Sequence, residues 1–193
     1  DFEKLNVKKG LDDDHFKLFK RRCMDIAGTN EINNSDNMKV FFNGEKLNIT
    51  NFKKYIESSF PGETIYLDDS AKRWEIGVLY RPDAGNETIS FANGISTHRG
   101  GTHVNHVVDQ IIKTLISEHI SKKNKGIKVS HSLIKESLVF FINSVIENPA
   151  FSSQTKDTLT SKTINFGSSY KPNVNFMKKV SKCGIVDKVI KLA

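Results

Sequence analysis

Residues 90–120 read SFANGISTHRGGTHVNHVVDQIIKTLISEHI, and the fold turns on how this stretch divides. Ile89 through Ile95 is an apolar run suited to a strand. Gly100-Gly101 then admits backbone conformations that other residues resist, and Thr102 opens a helix. From there Val104, Val107, Val108, Ile111, Ile112, Leu115, Ile116 and Ile120 fall on one face at helical spacing. The stretch predicts a strand, a glycine corner and a long helix. A helix N-terminus can receive an anion, but a corner serving packing alone is the favoured reading of these residues.

Outward from this unit, strand and helix patterns alternate. Trp74, Ile76, Val78 and Tyr80 alternate with Arg73, Glu75, Gly77 and Leu79, predicting a strand with one buried face. The Asp83–Glu87 link suggests that it pairs with 89–95 as a hairpin. Asn43-Gly44 between Lys39–Phe42 and Lys46–Ile49 is a two-residue hairpin signal. Thr50 is placed to cap a short helix reaching Phe60, before Pro61-Gly62. Asp12, Asp13 and Asp14 mark a helix start, and Phe16, Phe19, Cys23 and Ile26 form its apolar stripe up to Gly28. Phe2–Val7 fits a short strand, and Asn30–Asn37 a boundary or loop. Downstream, Ser130 can cap a helix to Ser137. Leu138–Ile146 suits a buried strand, 151–162 a polar loop, and Phe176–Cys183 and Ile185–Leu192 two short helices. No internal repeat is visible, and the class is α/β or α+β.

Composition narrows the function. The 193 residues are 37% hydrophobic with 13 Phe, which suits one or two folding units and excludes a disordered tail. No run approaches the roughly 18 apolar residues of a spanning helix, and the N-terminus carries no secretory pattern. Cys23 and Cys183 supply neither metal spacing nor a disulfide framework, favouring a reducing compartment. The Asn48-Ile49-Thr50 and Asn86-Glu87-Thr88 sequons read as chance matches. The net charge of +7 favours polyanionic partners, nucleic acid first, with solubility as the bland alternative.

No phosphate-binding glycine loop of either common form is present. His103 and His106 stand three apart at a helix start, close enough in principle to share a metal, but a cap or surface role is preferred to a metal site. Lys122-Lys123-Asn124-Lys125-Gly126 is suited to phosphate neutralisation without base reading, or to cations at a helix C-terminus. Asn148 through Lys156 is a polar loop where Lys156 can act as a point charge for phosphate, with Gln154 beside it.

Taken in order, these stretches resemble the type IIA DNA topoisomerases of eukaryotic type. The matching features are Ser90-Phe91, Asn93, Ile95, Thr97, Gly100-Gly101 and His103, followed by Lys122–Gly126. After them come Glu147-Asn148-Pro149, Ser153-Gln154-Thr155-Lys156, Phe166-Gly167-Ser168 and Cys183-Gly184-Ile185-Val186. Arg21-Arg22, Asp25–Gly28 and the Val40–Gly44 hairpin look similar too. The resemblance implies a transducer domain over 31–193, preceded in 1–30 by the last strand and helix of a Bergerat-type ATPase domain. It implies a two-layer fold with a mixed four-stranded sheet backed by helices and a left-handed βαβ crossover, where general topology favours the right-handed one.

By the same resemblance, Lys156 is a switch lysine, a catalytic contact to the ATP γ-phosphate, with Gln154 and Thr155 in the same nucleotide-binding loop. Lys122, Lys123 and Lys125 face double-stranded DNA; Ser121 stands where relatives can carry another lysine. ATP and Mg²⁺ would be held mainly by the preceding domain, so residues 1–193 alone are expected to be inactive. The resemblance also implies a nuclear homodimer, with no membrane partner. The competing expectations are a basic RNA-binding module of ribosomal-protein-like fold and a small-molecule kinase. The first gives no role to the 154–156 loop, and the second lacks a glycine phosphate loop. A Bergerat signature encoded immediately upstream would discriminate among the three.

Overall fold

The computed structural model describes residues 4, 10–30, 32, 38–82, 84–124, 126 and 129–192. Apart from Lys4, the Phe2–Val7 strand lies outside these residues, as do Lys125 and most of Asn30–Asn37.

Helix α1 spans Asp13–Thr29, where Asp12 caps it by accepting from the Asp14 and His15 amides at 3.1 Å each. The hairpin at Asn43-Gly44 joins β1 (Phe41–Phe42) to β2 (Glu45–Lys46). Helix α2 (Phe52–Ser59) begins one residue later than expected: Asn51, not Thr50, caps it through Oδ1 to the Lys54 amide at 2.9 Å. Strands β3 (Ile65–Asp68), β4 (Trp74–Tyr80), β5 (Thr88–Ala92) and β6 (Ile95–Ser96) follow. The long helix starts as α3 (Thr102–Thr114), passes through a π-helical stretch at Leu115–Ile120 and ends as α4 (Ser121–Lys123). Helix α5 (His131–Glu136), strand β7 (Leu138–Ser144), and helices α6 (Val174–Val180) and α7 (Ile185–Leu192) complete the chain.

The principal sheet has the order β3-β4-β7-β5-β6, antiparallel except for the parallel pair β5–β7. Four strands of four or more residues match the expected mixed sheet, and β6 adds a two-residue edge. The expected hairpin between 74–80 and 89–95 does not form. β7 lies between β4 and β5, pairing Trp74 with Ser144 and Thr88 with Phe140. The 89–95 run is itself two strands, folded at Asn93-Gly94, where both residues have positive φ.

All seven β7 residues are buried, as expected of a strand covered on both faces. Trp74, Ile76, Val78, Phe140 and Ile142 face α3, α5, α6 and α7 in one core. Leu79, Phe91, Val139 and Phe141 face α1 and α2 in another. Helices therefore cover a second face as well, a layer beyond the two expected, and β4 is buried on both sides instead of one.

Helix α1 seats itself differently from its pattern. Phe16, Phe19 and Ile26 stay exposed, while Asp25, Ala27, Gly28 and Thr29 are buried. The reason is polar. Asp25 accepts from Arg21 Nε (3.1 Å), Arg22 (3.0 Å) and the Tyr55 hydroxyl (2.8 Å), and Gly28 lets the Tyr55 side chain approach where any Cβ would overlap it. Burying a carboxylate is costly unless donors satisfy its oxygens, and here three do.

Candidate functional site

The loop after β7 is held from both sides. Asn93 clamps Ile146, its amide donating to the Ile146 carbonyl at 3.0 Å and its carbonyl accepting from the Ile146 amide at 2.7 Å. Beyond Pro149, Phe151 bridges Leu159 antiparallel, and the Ser152 amide reaches the Thr158 carbonyl at 3.1 Å. The tip between them is 153–157. There the Lys156 amide donates to the Ser153 carbonyl at 3.1 Å, and Lys156 takes a left-handed conformation, φ 59°, that a non-glycine residue rarely adopts. Gln154, Thr155 and Lys156 are all exposed, and the Lys156 ammonium stands 5.8 Å from the centroid of the Phe151 ring.

Asp157 orders the tip from within. Its carboxylate accepts from the Ser153 hydroxyl at 3.1 Å and faces Arg99 at 3.7 Å. Desolvation pushes this carboxyl up, but the Ser153 hydroxyl, its own backbone amide, Arg99 and His98 outweigh it and hold it below the usual value.

The base of the loop is fastened to the head of α3. The Arg99 amide donates to the Asp157 carbonyl (3.1 Å), the Leu159 amide to Gly100 (3.1 Å), and the Thr102 amide to Leu159 (3.0 Å). The Thr102 hydroxyl adds a 2.7 Å bond to the Ser161 carbonyl. Gly101 has φ 141°, and a Cβ there would lie 2.6 Å from the Leu159 nitrogen, so only glycine permits this crossing. The glycine corner thus serves packing, as favoured, and what it packs is the Lys156 loop.

His103 corrects the expectation of a cap or surface role. It is fully buried, with Nε2 3.1 Å from the Thr97 hydroxyl, which in turn meets the Ser90 hydroxyl at 2.7 Å. Burial pushes its pKa down to about 4. His106 packs against Trp74 and Phe166. Among the described residues no three His, Cys, Asp or Glu side chains come together to hold a metal ion.

At the other end of the long helix, roughly 30 Å away at 1.5 Å per residue, Lys122 and Lys123 are exposed on α4. Lys122 pairs with Glu118 one turn earlier, and Lys123 with Asp187 of α7 at 3.5 Å. Such exposed pairs are weak and exchangeable.

The family model for DNA gyrase B matches residues 31–192. The chain belongs to that family. It is 42% identical to the DNA topoisomerase 2 of Acanthamoeba polyphaga mimivirus over 98% of its own length, and 42% identical to the probable DNA topoisomerase 2 of Dictyostelium discoideum over 95%. It spans only 15% and 12% of these relatives. Among solved structures, it superposes on the ATPase and transducer domains of DNA topoisomerase II from Balamuthia mandrillaris with a TM-score of 0.86 at 34% identity, covering 96% of this chain and 46% of that one. The ATPase region of Saccharomyces cerevisiae topoisomerase II gives 0.83 at 36%, covering 94% and 45%. The resemblance to eukaryotic-type topoisomerase II is thereby borne out, and the RNA-binding alternative is left without support.

Sequence reading missed Arg99, Asp157 and Leu159 as the residues that hold the loop. Gly100-Gly101 was the available signal, since paired glycines at a helix start point to a close backbone approach.

Proposed function

We propose that this chain is the transducer segment of an ATP-dependent type II DNA topoisomerase, over 31–193, with 1–30 as the terminal strand and helix of its ATPase domain. The observation that carries this is the joint between loop and helix: Lys156 tips a loop whose base is bonded to the head of the helix that bears Lys122 and Lys123 at its far end. Two further features support it. The match to the family begins at residue 31. Phe16, Phe19 and Ile26 of α1, with Phe41 nearby in the chain's first hairpin, form an exposed apolar surface suited to a neighbouring domain.

The exposed ammonium of Lys156, the Gln154 amide and the Thr155 hydroxyl fit the terminal phosphate of ATP. The described residues do not fit Mg²⁺, because Asp157, the carboxylate nearest Lys156 in sequence, is committed to Ser153 and Arg99; the metal would be held by the neighbouring domain. Lys156 places a fixed cation where charge develops during phosphoryl transfer. Its loop position then depends on whether that phosphate is present. The bonds at Gly100, Gly101 and Thr102 carry a loop displacement into the long helix as rigid-body motion. Lys122, Lys123 and Lys125 contact phosphates of double-stranded DNA at the other end. In this reading the parent enzyme acts as a homodimer in the nucleus.

The test is Lys156→Ala in the full-length enzyme. ATP turnover falls, and the turnover that remains is uncoupled from strand passage. A wild-type rate with intact coupling would overturn the assignment.

A further inference from the structure

The chain's charge is unevenly placed. Residues 161–193 hold seven lysines and one aspartate, a net +6 of the total +7. Part of this charge converges on a cleft of about 560 Å³ between the end of the long helix and the α6–α7 corner, lined by His119, Lys123, Lys178, Ser181, Lys182 and Asp187. Lys178 and Lys182 are exposed and form no ion pair among the described residues. Ser181 turns its hydroxyl to the Lys178 carbonyl at 3.0 Å, closing the α6 C-terminus. Asp187 is the single anion on the lining and is engaged with Lys123 at 3.5 Å. Three ammonium groups and one carboxylate leave +2 around an open cleft that Val186 also lines.

We propose that this cleft is a second phosphate-binding site for duplex DNA, in which Lys178 and Lys182 contact backbone phosphates beyond those met by Lys122 and Lys123. It rests on the reading that this chain works on DNA. The chemistry is that of flexible point charges: lysines neutralise phosphate without reading sequence, and each neutralised phosphate releases counterions. Lys123 joins the two patches, since it lines the cleft and belongs to the basic end of the long helix. Its pair with Asp187 is exposed, so a phosphate entering the cleft exchanges one screened contact for another. The site offers flexible point charges and no planar guanidinium fork, so it strengthens binding without selecting sequence.

The test measures the salt dependence of affinity, by fluorescence anisotropy, of the full-length protein for a duplex of roughly 60 base pairs, about 200 Å at 3.4 Å per pair. The Lys178→Gln/Lys182→Gln variant lowers the slope of log K against log salt by about 2, at 0.9 per phosphate. Between 50 and 200 mM salt it therefore loses roughly tenfold less affinity than the wild type. Lys53→Gln/Lys54→Gln, on α2 across the sheet, removes the same charge and leaves the slope unchanged. An equal response in these two variants reduces the cleft to general charge and overturns the proposal. Lys122→Gln/Lys123→Gln separates the two readings. A lower slope there with no change for the cleft variant sinks the cleft alone; the converse sinks the loop assignment, and no change in either sinks both. Melting curves matching wild type establish that the exposed substitutions leave the fold intact.

Discussion

The two ends of the long helix are held by different means. At the Thr102 end, main-chain bonds from Arg99, Leu159 and Thr102 tie helix and loop together, and a glycine is required for the contact. At the Lys123 end, Lys122 and Lys123 are held, among the described residues, by exposed side-chain pairs to Glu118 and Asp187. Main-chain bonds in a packed joint resist displacement, whereas exposed pairs exchange with solvent, salt or another anion. The coupling role proposed above would use this asymmetry: stiff where a signal enters, and yielding where a partner of variable position is met.

The contrast breaks most severely at Gly101. Gly101→Ala forces a Cβ onto the Leu159 backbone at a φ that disfavours side chains, so we expect a loss of about 3 kcal/mol, or roughly 6–12 °C in Tm. Thermal denaturation checks this, and an unchanged Tm would show that the joint is looser than its bonds imply. Acid attacks the same end through His103. Its folded pKa, about 4, lies below the ordinary 6.5, so between those values the unfolded chain binds the extra proton. Stability is therefore full above pH 6.5 and falls by about 3 kcal/mol as pH drops to 4. Urea titrations across that window should show the slope in wild type and its loss in His103→Gln. The smallest effect lies at the opposite end. Glu118→Gln frees Lys122 and leaves Tm close to that of the wild type, yet duplex DNA binding at low salt tightens. A clear drop in Tm would mean that this pair is structural after all.

What could be read ahead of the structure followed from local chemistry. The Asp12 region, the Asn43-Gly44 turn, the long helix and the β-branched run at 138–146 each carry their signal within a few residues. The insertion of β7 between β4 and β5 carries none, because Trp74 meets Ser144 seventy residues away while a short link makes the wrong hairpin attractive. Strand β3 is only four residues long, too short for alternation to declare itself. In α1, the apolar stripe lost to a network around Asp25 whose partner Tyr55 lies thirty residues on. The candidate site divided similarly: Lys156 stood out as a candidate through its neighbours in sequence and Gly101 through its paired glycine, whereas Arg99 and Leu159 gain meaning only when the loop folds back onto the helix.

The π-helical stretch sets the phase of the long helix. Leu115 and Ile120 are both buried, although five residues at 3.6 per turn would set them about 140° apart. Bonding from i to i+5 brings residues five apart onto one side, so Ile120 stays in the core and Lys122 emerges in water. Deleting one residue between Ile116 and His119 would turn all that follows by about 100°, swinging the lysines around the axis while their sequence stayed the same. The direction in which the basic tip points is thus encoded as a residue count, several positions before the first lysine.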